Sequence, residues 1–132
     1  MDLSIIIPAY NEEKRISRTL NDYGSYFSTS KKKTEIIVVL NGCKDNTLAL
    51  VKQSAKKYPV IRYVDIPPAI GKGGAIIEGF KLAKGNIIGF ADADGATTAE
   101  HFASLFQHIN NADGVIASRW VKGAVVEPLQ PF

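Results

Sequence analysis

Apolar runs and helix-spaced apolar positions alternate along the chain. "LSIIIP" (3–8) is a continuous, β-branched run, the pattern of a strand buried on both faces. Ile16, Leu20, Tyr23 and Phe27 follow at helical spacing and predict one apolar helix face. "TEIIVVL" (34–40) repeats the buried-strand pattern, and Leu48, Val51 and Ala55 predict a second helix that stops before Pro59. "VIRYVDI" (60–66) alternates more, as at a sheet edge. A glycine turn then opens a predicted helix over 71–84, and "NIIGFA" (86–91) reads as a fourth strand. Phe102, Leu105, Phe106 and Ile109 give another helical face, and "DGVIAS" (113–118) a fifth strand. The tail "VKGAVVEPLQPF" has no clear period.

Strands alternating with helices imply a mostly parallel sheet flanked by helices, a Rossmann-like α/β fold. Ligands of such sheets bind beyond the carboxyl ends of the strands. The unusual residues fall there: Pro8-Ala9-Tyr10-Asn11-Glu12 after the first strand, Asn41-Gly42-Cys43-Lys44-Asp45 after the second, and Asp92-Ala93-Asp94 after the fourth.

Composition changes this picture little. The chain has 132 residues, 45% hydrophobic and 22% charged, ordinary for a globular domain. A net charge of +3 suits an anionic ligand or a membrane surface without proving either. Lys31-Lys32-Lys33 reads as a solvated loop. The single cysteine, Cys43, excludes an intrachain disulfide. The longest apolar runs are far too short to span a bilayer.

Two aspartates one residue apart at a strand end repel each other unless a cation lies between them. Such a pair can share Mg²⁺ or Mn²⁺, which take oxygen ligands and often complete their shell with substrate phosphates. The plainer reading is a turn whose aspartates cap the next helix. An EF-hand loop counted from Asp92 puts Thr97 where glycine and Ala103 where glutamate is needed, so it fails. A P-loop around Lys72 fails on Ile66 and Gly73. A haloacid-dehalogenase-like phosphatase also ends a strand in Asp-x-Asp-Gly-Thr, and "DADGAT" is a near miss on the wrong strand.

"IIIPAYNEEKRI", "EIIVVLNGCKDNT", "GKGGAIIEGF", "FADADGATTAEHF" and "ASRW" occur in that order. Together they resemble the catalytic domain of family 2 glycosyltransferases with the GT-A fold. "GKGGA" plus "ADADGAT" most resembles the dolichyl-phosphate glucosyltransferases, with dolichyl-phosphate mannose synthases close behind. The resemblance implies a single GT-A nucleotide-sugar-binding domain over 1–132 that lacks a C-terminal acceptor half. It implies an inverting, metal-dependent hexosyltransferase using Mg²⁺ or Mn²⁺. The donor would be a nucleotide-diphosphate sugar of the UDP-glucose or GDP-mannose type, and the acceptor a polyprenyl (dolichyl) phosphate. The implied place is the cytoplasmic face of a membrane, with no nucleic acid partner. The alternatives are the phosphatase and a non-catalytic nucleotide-binding module.

Residue by residue, the resemblance puts Pro8, Ala9, Tyr10 and Glu12 around the nucleoside. It gives Asn41 and Asp45 to the nucleotide site and Lys72 to the donor's basic residue. Asp92 and Asp94 match the metal-diphosphate pair, and Arg119 a phosphate-holding arginine. Each has a plainer reading. Tyr10 can be a packing aromatic, Glu12 a helix-start acid, Lys72 a surface lysine and Arg119 an ion-pair partner. His101 and His108 read as solvent-facing, and Cys43 as a small loop residue. One departure stands out. The family commonly has Asp-Asp-Gly-Ser where this chain has Leu40-Asn41-Gly42-Cys43, and an amide can donate where a carboxylate only accepts, which bears on the choice of base.

Overall fold

The computed structural model describes residues 1–108 and, as backbone, the short strands at 116–117 and 125–126. The chain divides into two compact units, Met1–Thr98 and Ala99–Phe132.

In the first unit, β1 (Leu3–Ala9), β2 (Thr34–Asn41), β3 (Ile61–Ile66) and β4 (Ile87–Phe90) form a parallel sheet in the order β3-β2-β1-β4. The helices α1 (Ile16–Ser28), α2 (Thr47–Lys57) and α3 (Gly71–Leu82) connect consecutive strands. The strand pattern follows the sequence closely. β2 is buried at every position and β1 at all but Pro8, as their unbroken apolar runs require. β3, with its alternation, lies at the sheet edge and alternates in burial from Arg62 to Ile66.

Helix packing follows the apolar spacing only in part. Ile16, Leu20, Tyr23 and Phe27 of α1 are all buried, as their spacing predicts. In α2 only Thr47 and Val51 are buried; Leu48 and Ala55 stay half-exposed. α3 comes close to β1 at Gly79. A Cβ there would lie 2.4 Å from Ile6 Cγ2, so only glycine lets helix and strand meet at this spacing. Ala75 of α3 joins Ile6, Ile37 and Val39 in one apolar cluster, with Val64, Ile66, Ala83 and Ile88 packed against it.

A polar network closes the amino-terminal end of this sheet. Glu35 in β2 is 5% exposed. Its Oε2 accepts from Ser4 Oγ (2.6 Å) and from the Lys84 N–H (2.7 Å). Its Oε1 accepts from Arg62 Nε at 3.0 Å, and Arg62 Nη2 lies 2.9 Å away. Ser4 Oγ also accepts from the Gly85 N–H at 2.8 Å. One carboxylate thus ties the starts of β1, β2 and β3 to the turn before β4. Burial pushes the Glu35 carboxyl up, but the hydrogen bonds from Ser4 and Lys84 and the Arg62 guanidinium outweigh it, and the group titrates below the usual carboxylate range.

The second unit contains α4 (Ala99–Gln107) and the strands β5 (Ile116–Ala117) and β6 (Val125–Val126). Phe102 on α4 is buried, Leu105 and Phe106 are half-buried, and Ile109 lies outside the described residues. Within the predicted fifth strand over 113–118, the described residues Ile116–Ala117 form β5. It pairs antiparallel with β6, inside the tail that showed no period: Ile116 faces Val126 and Ala117 faces Val125. The short connection between them suits an antiparallel pair, whereas a parallel neighbour needs a longer crossover.

Candidate functional site: the carboxyl ends of β1, β2 and β4

The loops after β1 and β2 are sewn together by side chains. The Glu12 N–H donates to Thr47 Oγ1 at 2.9 Å, and Thr47 Oγ1 donates onward to Asp45 Oδ1 at 2.5 Å. Asp45 Oδ1 also accepts from the Thr47 N–H (2.9 Å), and Asp45 Oδ2 from the Glu13 N–H (3.3 Å). In return the Asn46 N–H donates to Glu13 Oε2 at 3.2 Å, and the Lys44 N–H to Asn11 Oδ1 at 2.8 Å. Asn11 adopts φ 48°, a left-handed conformation that asparagine tolerates better than most residues. Cys43 Sγ donates to the Ala9 carbonyl at 3.3 Å, so the thiol serves as a small loop group.

These bonds assign roles. Desolvation raises the Asp45 carboxyl, but the hydroxyl and backbone donors of Thr47 and the Glu13 N–H together hold it below its ordinary value. Asp45 is therefore a strut that shapes the loop. Glu12 likewise starts α1: its carbonyl accepts from the Arg15 and Ile16 N–H groups, and its Oε2 lies 2.7 Å from Arg15 Nη2. Tyr10 stands apart from this network with 57% of its surface exposed, beside the half-buried Pro8. An exposed ring at a strand end is free to take a flat ligand, which the packing-aromatic reading does not explain.

The second loop is tied to α3. Asn41 is 6% exposed, and its Oδ1 accepts from the Ile70 N–H at 2.6 Å. The Gly42 N–H donates to the Ile66 carbonyl at 2.8 Å. With its carbonyl oxygen accepting from the Ile70 N–H, Asn41 ties the second loop to the start of α3. Lys72 follows on the first turn of α3, and its Nζ lies 2.6 Å from Asp92 Oδ1. A cation thus sits on the first aspartate of the pair.

Below these aspartates the loop is anchored to α1. Thr19 Oγ1 donates to the Ala93 carbonyl at 2.7 Å, and Tyr23 Oη to the Thr97 carbonyl at 2.7 Å. Burial above all, with the negative charges of Asp22 and Asp92, pushes the Tyr23 phenol far up, so it remains a donor at any working pH. Asp94 is exposed, and its Oδ1 accepts from the Ala96 N–H at 2.9 Å. Gly95 then takes φ 76°, a left-handed turn suited to glycine.

Asp92 and Asp94 offer hard oxygen donors at one strand end. Among the described residues no group of three or more His, Cys, Asp or Glu side chains is placed to hold a metal ion. Mg²⁺ and Mn²⁺ are commonly held by one or two carboxylates, with water and substrate phosphates completing the shell, so a pair fits this chemistry. Arg119 lies outside the described residues. His101 and His108 are exposed, as expected. Sequence reasoning missed Asn11, Thr19, Tyr23 and Thr47 as supports of the site, because their partners lie far along the chain.

Residues 4–131 match the family model of glycosyl transferase family 2. The chain belongs to this family. A dolichyl-phosphate beta-glucosyltransferase of Trichomonas vaginalis is 38% identical over 114 residues, which cover 83% of this chain and 35% of that protein. The dolichyl-phosphate beta-glucosyltransferase of Homo sapiens is 35% identical over 116 residues, 83% of this chain and 36% of its own. The chain therefore spans about a third of the length of these relatives. Among solved structures, S. aureus TarS 1-349 in complex with UDP is 28% identical with a TM-score of 0.64, over 71% of this chain and 28% of its own. The mannosyltransferase PcManGT from Pyrobaculum calidifontis, in complex with GDP-Man and Mn²⁺, has a TM-score of 0.70 at 23% identity, over 83% of this chain and 32% of its own. That likeness shows the fold, which is GT-A. Family 2 membership leaves the phosphatase reading of Asp92-Ala93-Asp94 without support.

Proposed function

We propose that this family 2 chain binds a nucleotide-diphosphate sugar with Mg²⁺ or Mn²⁺ and carries the donor side of hexose transfer, with inversion, to a polyprenyl phosphate. The observation that carries the reading is the Lys72–Asp92 contact at 2.6 Å with Asp94 two residues on, at the end of the strand beside β1. Acid and cation for a diphosphate thus meet next to the loop that bears Tyr10. The names of the relatives, dolichyl-phosphate beta-glucosyltransferases, support the lipid phosphate acceptor.

In this reading the nucleoside lies across the ends of β1 and β2, with its base on the exposed ring of Tyr10 against Pro8 and Ala9. Lys72 pairs with the diphosphate, and Arg119, by the family resemblance, holds phosphate. Asp92 and Asp94 would hold the metal, which when bound neutralises the leaving diphosphate and acts as a Lewis acid. The acceptor phosphate is already anionic at neutral pH and needs little help from a general base. Its oxygen attacks the anomeric carbon in line, the bond from that carbon to the diphosphate oxygen breaks, and the nucleotide leaves with the electron pair. Among the described residues no helix is long and apolar enough to cross a membrane. Placement at a membrane surface follows from the proposed lipid acceptor, and the cytoplasmic face is part of the proposal.

A thermal-shift panel of UDP-, GDP- and TDP-sugars, each with and without Mn²⁺, tests the reading. At least one nucleotide sugar should raise the melting temperature, and more so with Mn²⁺. No Mn²⁺-dependent shift with any of them would overturn it. Tyr10→Ala should weaken the responding nucleotide about tenfold, the order expected when a base loses an aromatic face. An unchanged affinity would place the base elsewhere.

A further inference from the structure

We propose that Lys72 stands in for the metal on Asp92 while the donor is absent, and passes to the donor's diphosphate when the metal takes the carboxylates. The inference rests on the donor-binding reading above and adds an exchange of partners within that site.

Three observations support the exchange. Lys72 sits on the first turn of α3, a helix with no acidic residue in that turn and no side-chain cap. The amino-terminal end of a helix carries partial positive charge, so a lysine there is unfavourable unless an anion lies close. Asp92 supplies that anion, with Oδ1 2.6 Å from Nζ. Next, the pair is loosely held. The Lys72 side chain is 58% exposed and that of Asp92 33%, and exposed ion pairs of this kind shift an equilibrium by roughly fivefold or less. Such a contact exchanges readily. Finally, the surroundings are open: a Cβ placed on Gly71 or on Gly73 would meet no atom within 4 Å beyond the adjoining residues and the helix's own backbone.

Charge then sets the direction. A divalent ion on Asp92 and Asp94 would lie a few ångströms from the ammonium group, and like charges at that spacing repel. The lysine must leave, and it still needs an anion at the helix end. The arriving diphosphate is that anion. Metal and Lys72 therefore compete when the donor is absent and cooperate when it is present. Bare metal should bind weakly, and metal and nucleotide should load together.

The two regimes predict shifts of opposite sign in one variant. Mn²⁺ affinity is read by electron paramagnetic resonance of the free ion, without nucleotide; affinity for the responding nucleotide, UDP, GDP or TDP, is read by calorimetry at saturating Mn²⁺. Lys72→Met keeps the apolar stem and removes the charge. It should tighten Mn²⁺ alone roughly two- to fivefold, and weaken the responding nucleotide with Mn²⁺ about tenfold, the scale of a lost charge-assisted contact. Lys72→Arg should stay near the native protein in both assays. Lys72→Ala should repeat the methionine result through a different side chain. Unchanged or weaker Mn²⁺ binding in both neutral variants would overturn the exchange, as would undiminished nucleotide affinity. Native protein with no Mn²⁺-dependent binding of UDP, GDP or TDP would remove the donor-site reading and this inference with it. Native binding of that kind, without the opposed shifts, would remove the inference alone.

Discussion

Asp94→Ala is expected to lose the Mn²⁺-dependent part of its nucleotide affinity and to remain folded. Its carboxylate is exposed and caps the turn at Ala96. Losing that hydrogen bond costs about 1 kcal/mol, too little to unfold a domain of this size. Losing a carboxylate from the proposed metal pair should cost at least the 10- to 100-fold, roughly, that follows when even an outer partner of a metal ligand is removed. Asp94 is a better probe than Asp92, whose contact with Lys72 would mix two effects. UDP titrations of the native protein and the variant, each with and without Mn²⁺, give the answer. If both depend on Mn²⁺ alike, the metal is held elsewhere.

Glu35→Ala is expected to be the most damaging single change to the fold. Without the carboxylate, Ser4 Oγ, the Lys84 N–H and the Arg62 guanidinium lose their common acceptor at the start of the sheet. Removing one partner of a buried ion pair costs about 3–5 kcal/mol, and the partial exposure of Arg62 argues for the lower end. Urea unfolding should show the loss as a lower midpoint at unchanged slope. The native protein should also show a characteristic acid sensitivity. The folded Glu35 carboxyl titrates below its ordinary value of 4.5. Its stabilisation is therefore complete above 4.5 and fades as the pH falls from there through the lower, folded-state value. Glu35→Gln keeps the shape and cannot ionise, so this component should vanish from its pH profile. A native profile that stays flat below 4.5, or a Glu35→Ala variant as stable as the native protein, would refute the role.

The strands were legible because burial on both faces demands continuous β-branched runs, and edge position demands alternation. "LSIIIP", "TEIIVVL" and "VIRYVDI" obey both rules, and β1, β2 and β3 appear where these patterns put them. The Asp92-Ala93-Asp94 turn was legible for a similar reason, since a charged pair at a strand end is locally costly. The supports of the site were not. Thr19 meets Ala93 and Tyr23 meets Thr97 across 74 residues each, and Glu12 meets Thr47 across 35. No local period marks such partners. Tyr23 even fits the apolar face of α1, which hid its hydroxyl contact. Glu35 did leave a signal: a carboxylate inside an otherwise apolar strand must have a partner, although the sequence does not name Ser4 or Arg62. β5 falls inside the apolar run at 113–118, but its partner β6 was illegible because a two-residue strand carries no period at all.

The lacing of the first two loops has a thermodynamic consequence for any ligand that lands on them. Loops that order only upon binding charge their lost conformational entropy against affinity. Here backbone donors on both sides, from Glu12 and Glu13 to Lys44, Asn46 and Thr47, are already satisfied without a ligand. A nucleoside bound at Tyr10, as proposed, would meet a surface whose shape is set in advance. Its binding on that side should be governed by desolvation of the ring and the base rather than by chain ordering, giving a negative heat-capacity change close to that of rigid-body contact.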